Sequence, residues 1–218
     1  MTAPVHIGKV LRNAVIFNAR RSHAEAMNAE GLLDAAARLF ALLAERRIDY
    51  LLVGGVALLQ YVQARNTEDV DLLIGLPSLK LLPEIAITSQ DDNFARGSLG
   101  ALQIDFRLTC NPFFDMVQRR YATVKTFQER DVPCATVEGL LALKLYALPS
   151  LYRQGNFARV ALYETDIVML IHEYQPAVGP LLEQLEHYLS PSDMASLRDI
   201  VAEIQQRIDR FRRGLGES

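Results

Sequence analysis

The chain has only two cysteines, Cys110 and Cys134, too few for a disulfide framework and without zinc-ligand spacing. They read as reduced, buried thiols, and the expected compartment is the cytoplasm. Histidine is scarce as well. His172 and His187 have no ligand partner at helical spacing, so no chemistry is assigned to them. No run approaches the roughly 20 apolar residues of a membrane span, and Met1 to Arg21 lacks the continuous apolar core of a signal peptide. A soluble protein with no membrane partner is expected. Charge of one sign is also missing: the formal net charge of −3 argues against broad electrostatic binding of nucleic acid, while leaving room for a local basic patch. There is no internal repeat and no low-complexity tract. What remains is a 218-residue chain, half of it apolar, which can bury one good core and divide into a larger and a smaller domain.

The informative stretch runs from Asp49 to Ile74. It comprises Asp49-Tyr50-Leu51-Leu52-Val53, the pair Gly54-Gly55, an apolar run to Tyr61, Arg65-Asn66-Thr67-Glu68, and Asp69-Val70-Asp71-Leu72-Leu73-Ile74. Two apolar strands are joined by a glycine pair and a short helix, with Val56, Leu59 and Val62 at helical spacing. Strand side chains alternate, so Asp69 and Asp71 share one face with Cα atoms about 6.6 Å apart. Val70 and Leu72 take the other, core-facing side. Two carboxylates this close repel each other, a cost that a cation between them removes. Oxygen ligands of this kind suit Mg²⁺, bound together with substrate phosphates. The glycines let a ligand approach the main chain, and at a helix N-terminus they would favour an anion. A phosphate cradle beside a divalent-metal site is what phosphoryl or nucleotidyl transfer requires.

At these residues the chain resembles the nucleotidyltransferase superfamily: a strand, a Gly-Gly or Gly-Ser pair, a spacer, then an acidic-apolar-acidic triplet on the next strand. Thirteen residues separate Gly55 from Asp69, at the long end of the family's range. With Arg65, Thr67 and Asp69-Val70-Asp71-Leu72, the stretch looks more specifically like AbiEii-type nucleotidyltransferases, several of which are toxins of toxin-antitoxin systems. The resemblance implies an α/β (α+β) fold, with a small mixed nucleotidyltransferase-type sheet flanked by helices and followed by a helical C-terminal domain. It implies Mg²⁺ (or Mn²⁺) on Asp69, Asp71 and a third carboxylate, and a nucleoside triphosphate held by Gly54, Gly55, Arg65 and Thr67.

Along the rest of the chain, Thr2 to Asn28 reads as a loosely packed arm carrying Arg12, Arg20, Arg21 and His23, with a short strand at Val10 to Phe17. Gly31 to Arg47 has helical periodicity. After Pro77-Ser78, a short helix near Leu79 to Leu82 is followed by a loop or irregular hairpin over Ser89 to Gly100. Leu102 to Thr109 alternates as a half-buried strand whose polar row is Gln103, Asp105, Arg107 and Thr109. The resemblance implies that Asp105 is the third carboxylate and general base; the alternative is an edge-strand aspartate paired with Arg107 or another surface cation. Asn111-Pro112 opens a helix, a short strand follows at Val124 to Phe127, and Val132 to Thr136 is an extended entry into a helix over Val137 to Leu148.

Lys144 interrupts the apolar pattern of that last helix, and a lysine there either snorkels to the surface or faces an anion. The resemblance implies that Lys144 contacts triphosphate and that Asp166, twenty-two residues on, completes the site. The alternative is an interhelical salt bridge, which is compatible with that role. Arg153 and Arg159 are candidate further basic residues. The chain has Tyr163-Glu164-Thr165-Asp166 where the family often has Lys-Asp. Helices over Phe157 to Tyr174, Ala177 to Tyr188 and Ser190 to about Arg213 complete the chain, the last with a cluster of Arg207, Arg210, Arg212 and Arg213.

The expected organisation is an N-terminal arm (1–30), a catalytic domain (31–135) and a helical domain (136–218). The expected activity is transfer of a nucleoside monophosphate to an acceptor hydroxyl, with the 3′ end of a tRNA, a protein side chain and a small hydroxylated molecule as the open acceptors. A cognate antitoxin is the partner if the protein is a toxin. The alternative is a catalytically silent nucleotidyltransferase-like protein that binds a nucleotide or a partner chain.

Overall fold

The computed structural model describes residues 24–62, 69–127 and 130–216. The strand expected at Val10 to Phe17 and the basic residues of the arm lie outside these residues. The chain divides into two compact units, one ending at Thr136 and the other beginning at Val137.

The first unit is built on a seven-stranded sheet in the order β3-β4-β5-β2-β1-β7-β6. Its strands are β1 (Tyr50–Val53), β2 (Asp69–Ile74), β3 (Ala86–Gln90), β4 (Phe94–Leu99), β5 (Leu102–Leu108), β6 (Ala122–Phe127) and β7 (Arg130–Ala135). The sheet is mixed: β2 lies parallel to β5 and β7 parallel to β1, whereas β1 and β2 are antiparallel. Helices α1 (Ala24–Glu45), α2 (Gly54–Leu58), α3 (Leu76–Leu79) and α4 (Pro112–Arg120) belong to this unit. Alternation along β5 is clean, with Leu102, Ile104, Phe106 and Leu108 buried. Val70, Leu72 and Ile74 of β2 are fully buried, and Tyr50 is the register partner of Ile74 on the same face. Phe40 of α1 stacks on Tyr50 with ring centroids 6.2 Å apart and meets Phe127 edge-on at 5.1 Å, so α1 covers this apolar face.

Several expectations change. Helix α1 begins at Ala24, inside the stretch expected to be an arm, and runs through Gly31. Alanine, methionine and glutamate outweigh one glycine, which costs about 1 kcal/mol. Residues 86–99 form an antiparallel hairpin with one register shift between Ile87 and Ser89, so of the two readings offered for this stretch the irregular hairpin is present, and it begins earlier, at Ala86. Strand β3 is exposed throughout, so no apolar alternation marks it. Strand β5 lies between β4 and β2 and is therefore not an edge.

The second unit consists of α5 (Val137–Arg153), α6 (Phe157–Tyr174), α7 (Val178–Leu185) and α8 (Pro191–Gly216). Helix α5 continues past the expected stop at Leu148, with Pro149 in its interior. A proline there removes one backbone hydrogen bond, and the burial of Leu148, Pro149 and Leu151 offsets that loss. Asn156 caps α6 by accepting the Arg159 amide at 3.3 Å, and the Ser190 hydroxyl accepts the Asp193 amide at 3.1 Å at the start of α8. No helix among the described residues is long and apolar enough to cross a membrane.

Candidate active site

Strand β2 delivers Asp69 and Asp71 to the face opposite the α1-covered core, and parallel pairing with β5 sets what stands beside them. Asp71 is the register partner of Asp105, and Asp69 that of Gln103. Cross-strand partners share a face, so Asp69, Asp71 and Asp105 occupy one polar patch. Strand β4 adds Arg96, the partner of Asp105 on its other side, and Arg107 follows Asp105 by two residues on the same row of β5.

These charges are closely interlocked. The Arg107 Nη1 group donates to Asp71 Oδ1 at 2.6 Å. The Arg96 Nε and Nη2 groups donate to the two oxygens of Asp105, each at 2.7 Å, a bidentate fork. Hydrogen bonding to Asp105 holds the Arg96 guanidinium above its ordinary pKa, that carboxylate's charge adds to the effect, and Asp69 and Asp71 contribute further. Asp105 is thus paired with a surface cation, but with Arg96; Arg107 serves Asp71 across the parallel strands. Arg96 was missed because it lies in the stretch expected to be irregular. Arg107 was legible as a member of the polar row, though not as the partner of Asp71.

The glycine corner is shaped around Asp71. Gly54 has φ +65°, and a Cβ at that position would lie 1.8 Å from Asp71 Oδ2. Only glycine combines that backbone angle with so close an approach. The next amide, Gly55 N–H, donates to the same Oδ2 at 3.3 Å. The glycines are the first residues of α2, which has five residues and ends at Leu58, so the helix is shorter than the expected run to Val62. The Tyr61 hydroxyl donates to the Ala135 carbonyl at 2.9 Å and ties the following turn to β7. Arg65 and Thr67 lie outside the described residues.

In the second unit, Lys144 of α5 and Asp166 of α6 form a buried ion pair at 2.6 Å, with the two residues 5% and 2% exposed. The Lys144 ammonium also lies 4.4 Å from the centroid of the Tyr163 ring. The lysine therefore does not snorkel; the interhelical salt bridge is present. Arg153 is paired with Asp193 of α8.

Three carboxylates on one face are the right chemistry for a hard divalent ion, but as arranged they do not fit one. Both Asp71 oxygens and both Asp105 oxygens already accept hydrogen bonds. Among the described residues no group of three His, Cys, Asp or Glu side chains is disposed to hold a metal.

No family model matches the chain, and no curated protein matches it. Among solved structures, the chain is similar to the crystal structure of ANT(2'')-Ia in complex with adenylyl-2''-tobramycin, with a TM-score of 0.50 at 13% identity over 77% of this chain and 97% of that one. The solution structure of the antibiotic-resistance factor ANT(2'')-Ia gives 0.49 at 12% identity, over 85% and 97%. An antigenic nucleotidyltransferase-like protein from Paracoccidioides brasiliensis gives 0.47 at 20% identity, over 76% and 91%. At such identities the likeness is one of fold alone: a mixed α/β sheet, with helices in the C-terminal part of the chain.

Proposed function

We propose that this protein is a nucleotidyltransferase that moves a nucleoside monophosphate from a nucleoside triphosphate to an acceptor hydroxyl and releases pyrophosphate. The observation that carries the reading is the pairing of Asp71 with Asp105 across two parallel strands, with Asp69 on the same face. In the reaction the acceptor oxygen bonds to the α-phosphorus, the bond from that phosphorus to the β-bridging oxygen breaks, and pyrophosphate leaves with the electron pair. Asp105 takes the acceptor's proton, which requires its hold on Arg96 to loosen. The divalent ion that the family resemblance implies enters no step here, because guanidinium and amide groups already hold the oxygens it would need. The acceptors to compare are the 3′ end of a tRNA, a protein side chain and an aminoglycoside-like molecule. Incubation with labelled triphosphates and each acceptor should show transfer that Asp105→Asn slows by about 10²–10⁴-fold; undiminished transfer in Asp105→Asn removes the mechanism. Growth arrest on expression that depends on Asp69 would add the toxin role, with an antitoxin as partner.

One observation favours a second reading, a silent nucleotide- or partner-binding protein: two of the three carboxylates, Asp105 and Asp71, are already paired with Arg96 and Arg107. Calorimetry separates the two. A silent module binds triphosphate weakly and without metal dependence, or not at all.

A further inference from the structure

The acidic patch carries its own cations. Among the described residues, Arg96 is paired with Asp105 and Arg107 with Asp71, so two of its three carboxylates already face a guanidinium. Both arginines come from strands rather than flexible loops, and both point to the carboxylate face through sheet register. Arginine stays charged at every accessible pH, and its planar fork suits a phosphate as well as a carboxylate. A divalent ion at Asp71 Oδ1 would share that oxygen with the Arg107 Nη1 group 2.6 Å from it, placing two positive charges beside one atom.

We infer that Arg96 and Arg107 are the resident cations of this site: they compete with a divalent ion for the carboxylate oxygens and transfer to phosphate oxygens when a triphosphate arrives. The inference rests on the nucleotidyltransferase reading and adds two positioning residues to it. The exchange is cheap only when each displaced guanidinium finds another anion, and a triphosphate brings several. Arg96, with 47% of its side chain exposed, can turn outward without repacking, whereas Arg107 at 20% is the more confined.

The test uses the full chain with MnCl2 alone and with inorganic tripolyphosphate alone, read by calorimetry and by the electron paramagnetic resonance signal of free Mn²⁺. Removing the competing charge with Arg107→Gln should tighten Mn²⁺ binding on the order of tenfold, the scale on which one neighbouring opposite charge alters a carboxylate's affinity for a proton. The same variant should weaken tripolyphosphate binding. Arg107→Lys keeps the charge but loses the fork, so it should hold Mn²⁺ affinity near wild type while still weakening tripolyphosphate. Arg96→Gln, at the more exposed position, repeats the test should Arg107→Gln fail to fold. Mn²⁺ affinity that is unchanged or lower in folded Arg107→Gln and Arg96→Gln overturns the inference. If wild type still binds tripolyphosphate and transfers nucleotide in that case, the nucleotidyltransferase reading stands without it. If wild type binds no tripolyphosphate under any of these conditions, both fall.

Discussion

Gly54 is where a single residue does most to shape the candidate site. Its φ of +65° is strained for any other residue, and the Asp71 carboxylate fills the space a side chain would need. Gly54→Ala should destabilise the fold by about 1–3 kcal/mol and turn Asp71 away from Arg107. Urea denaturation reads the first effect, and loss of tripolyphosphate binding reads the second. A variant as stable as wild type with binding intact would show that the corner is not needed. The glycine pair was legible in the chain because it sits between two apolar runs and ahead of an acidic triplet. That the anion at this corner is the protein's own Asp71 was not legible, since the contact joins positions 16 residues apart through strand pairing.

Among elements, the α5–α6 pair depends on a buried charge. Removing one partner leaves the other ionised and desolvated, so Lys144→Met should cost about 3–5 kcal/mol. The double variant Lys144→Met/Asp166→Leu should recover most of that loss, because apolar replacements of buried ion pairs are often neutral or better. Denaturant unfolding of the three variants as a cycle measures the coupling. Transfer activity in the folded double variant then decides whether the pair serves only packing or also the chemistry: retained transfer confines Lys144 and Asp166 to the fold, and lost transfer places them in the reaction. The lysine was conspicuous in the sequence because a cation on an apolar helix demands a partner. By contrast, the sequence left loop and irregular hairpin open over Ser89 to Gly100, because β3 is exposed throughout and carries no apolar row.

For the whole molecule, the groups buried in the sheet set its response to alkali. Burial pushes the Cys134 thiol up from 9.0 to about 12, and burial likewise raises the Tyr50 phenol, with Cys134 adding to it. Between pH 9 and 12 the unfolded chain has lost the thiol proton that the native chain retains. The native state therefore binds more protons, and stability falls as pH rises, by up to about 1.4 kcal/mol per pH unit for one thiol. Cys134→Ala should flatten that slope, as followed by circular dichroism at increasing pH; an unchanged slope would mean the thiol is not protected. Thiol labelling at neutral pH gives an independent reading, with exposed Cys110 reacting and buried Cys134 protected until unfolding.

Sequence alone determined the properties that depend on local period: two apolar strands flanking a glycine pair, two aspartates on one face of β2, the alternation of β5, and the cap that starts α4. Each follows from side chains a few residues apart obeying the geometry of one element. Tertiary structure decided which charges meet. Parallel pairing set Asp105 beside Asp71, antiparallel pairing brought Arg96 to Asp105, and the row of β5 carried Arg107 to Asp71. The pairing of β2 with β5, strands distant in sequence, is settled only when their apolar faces pack together in the sheet.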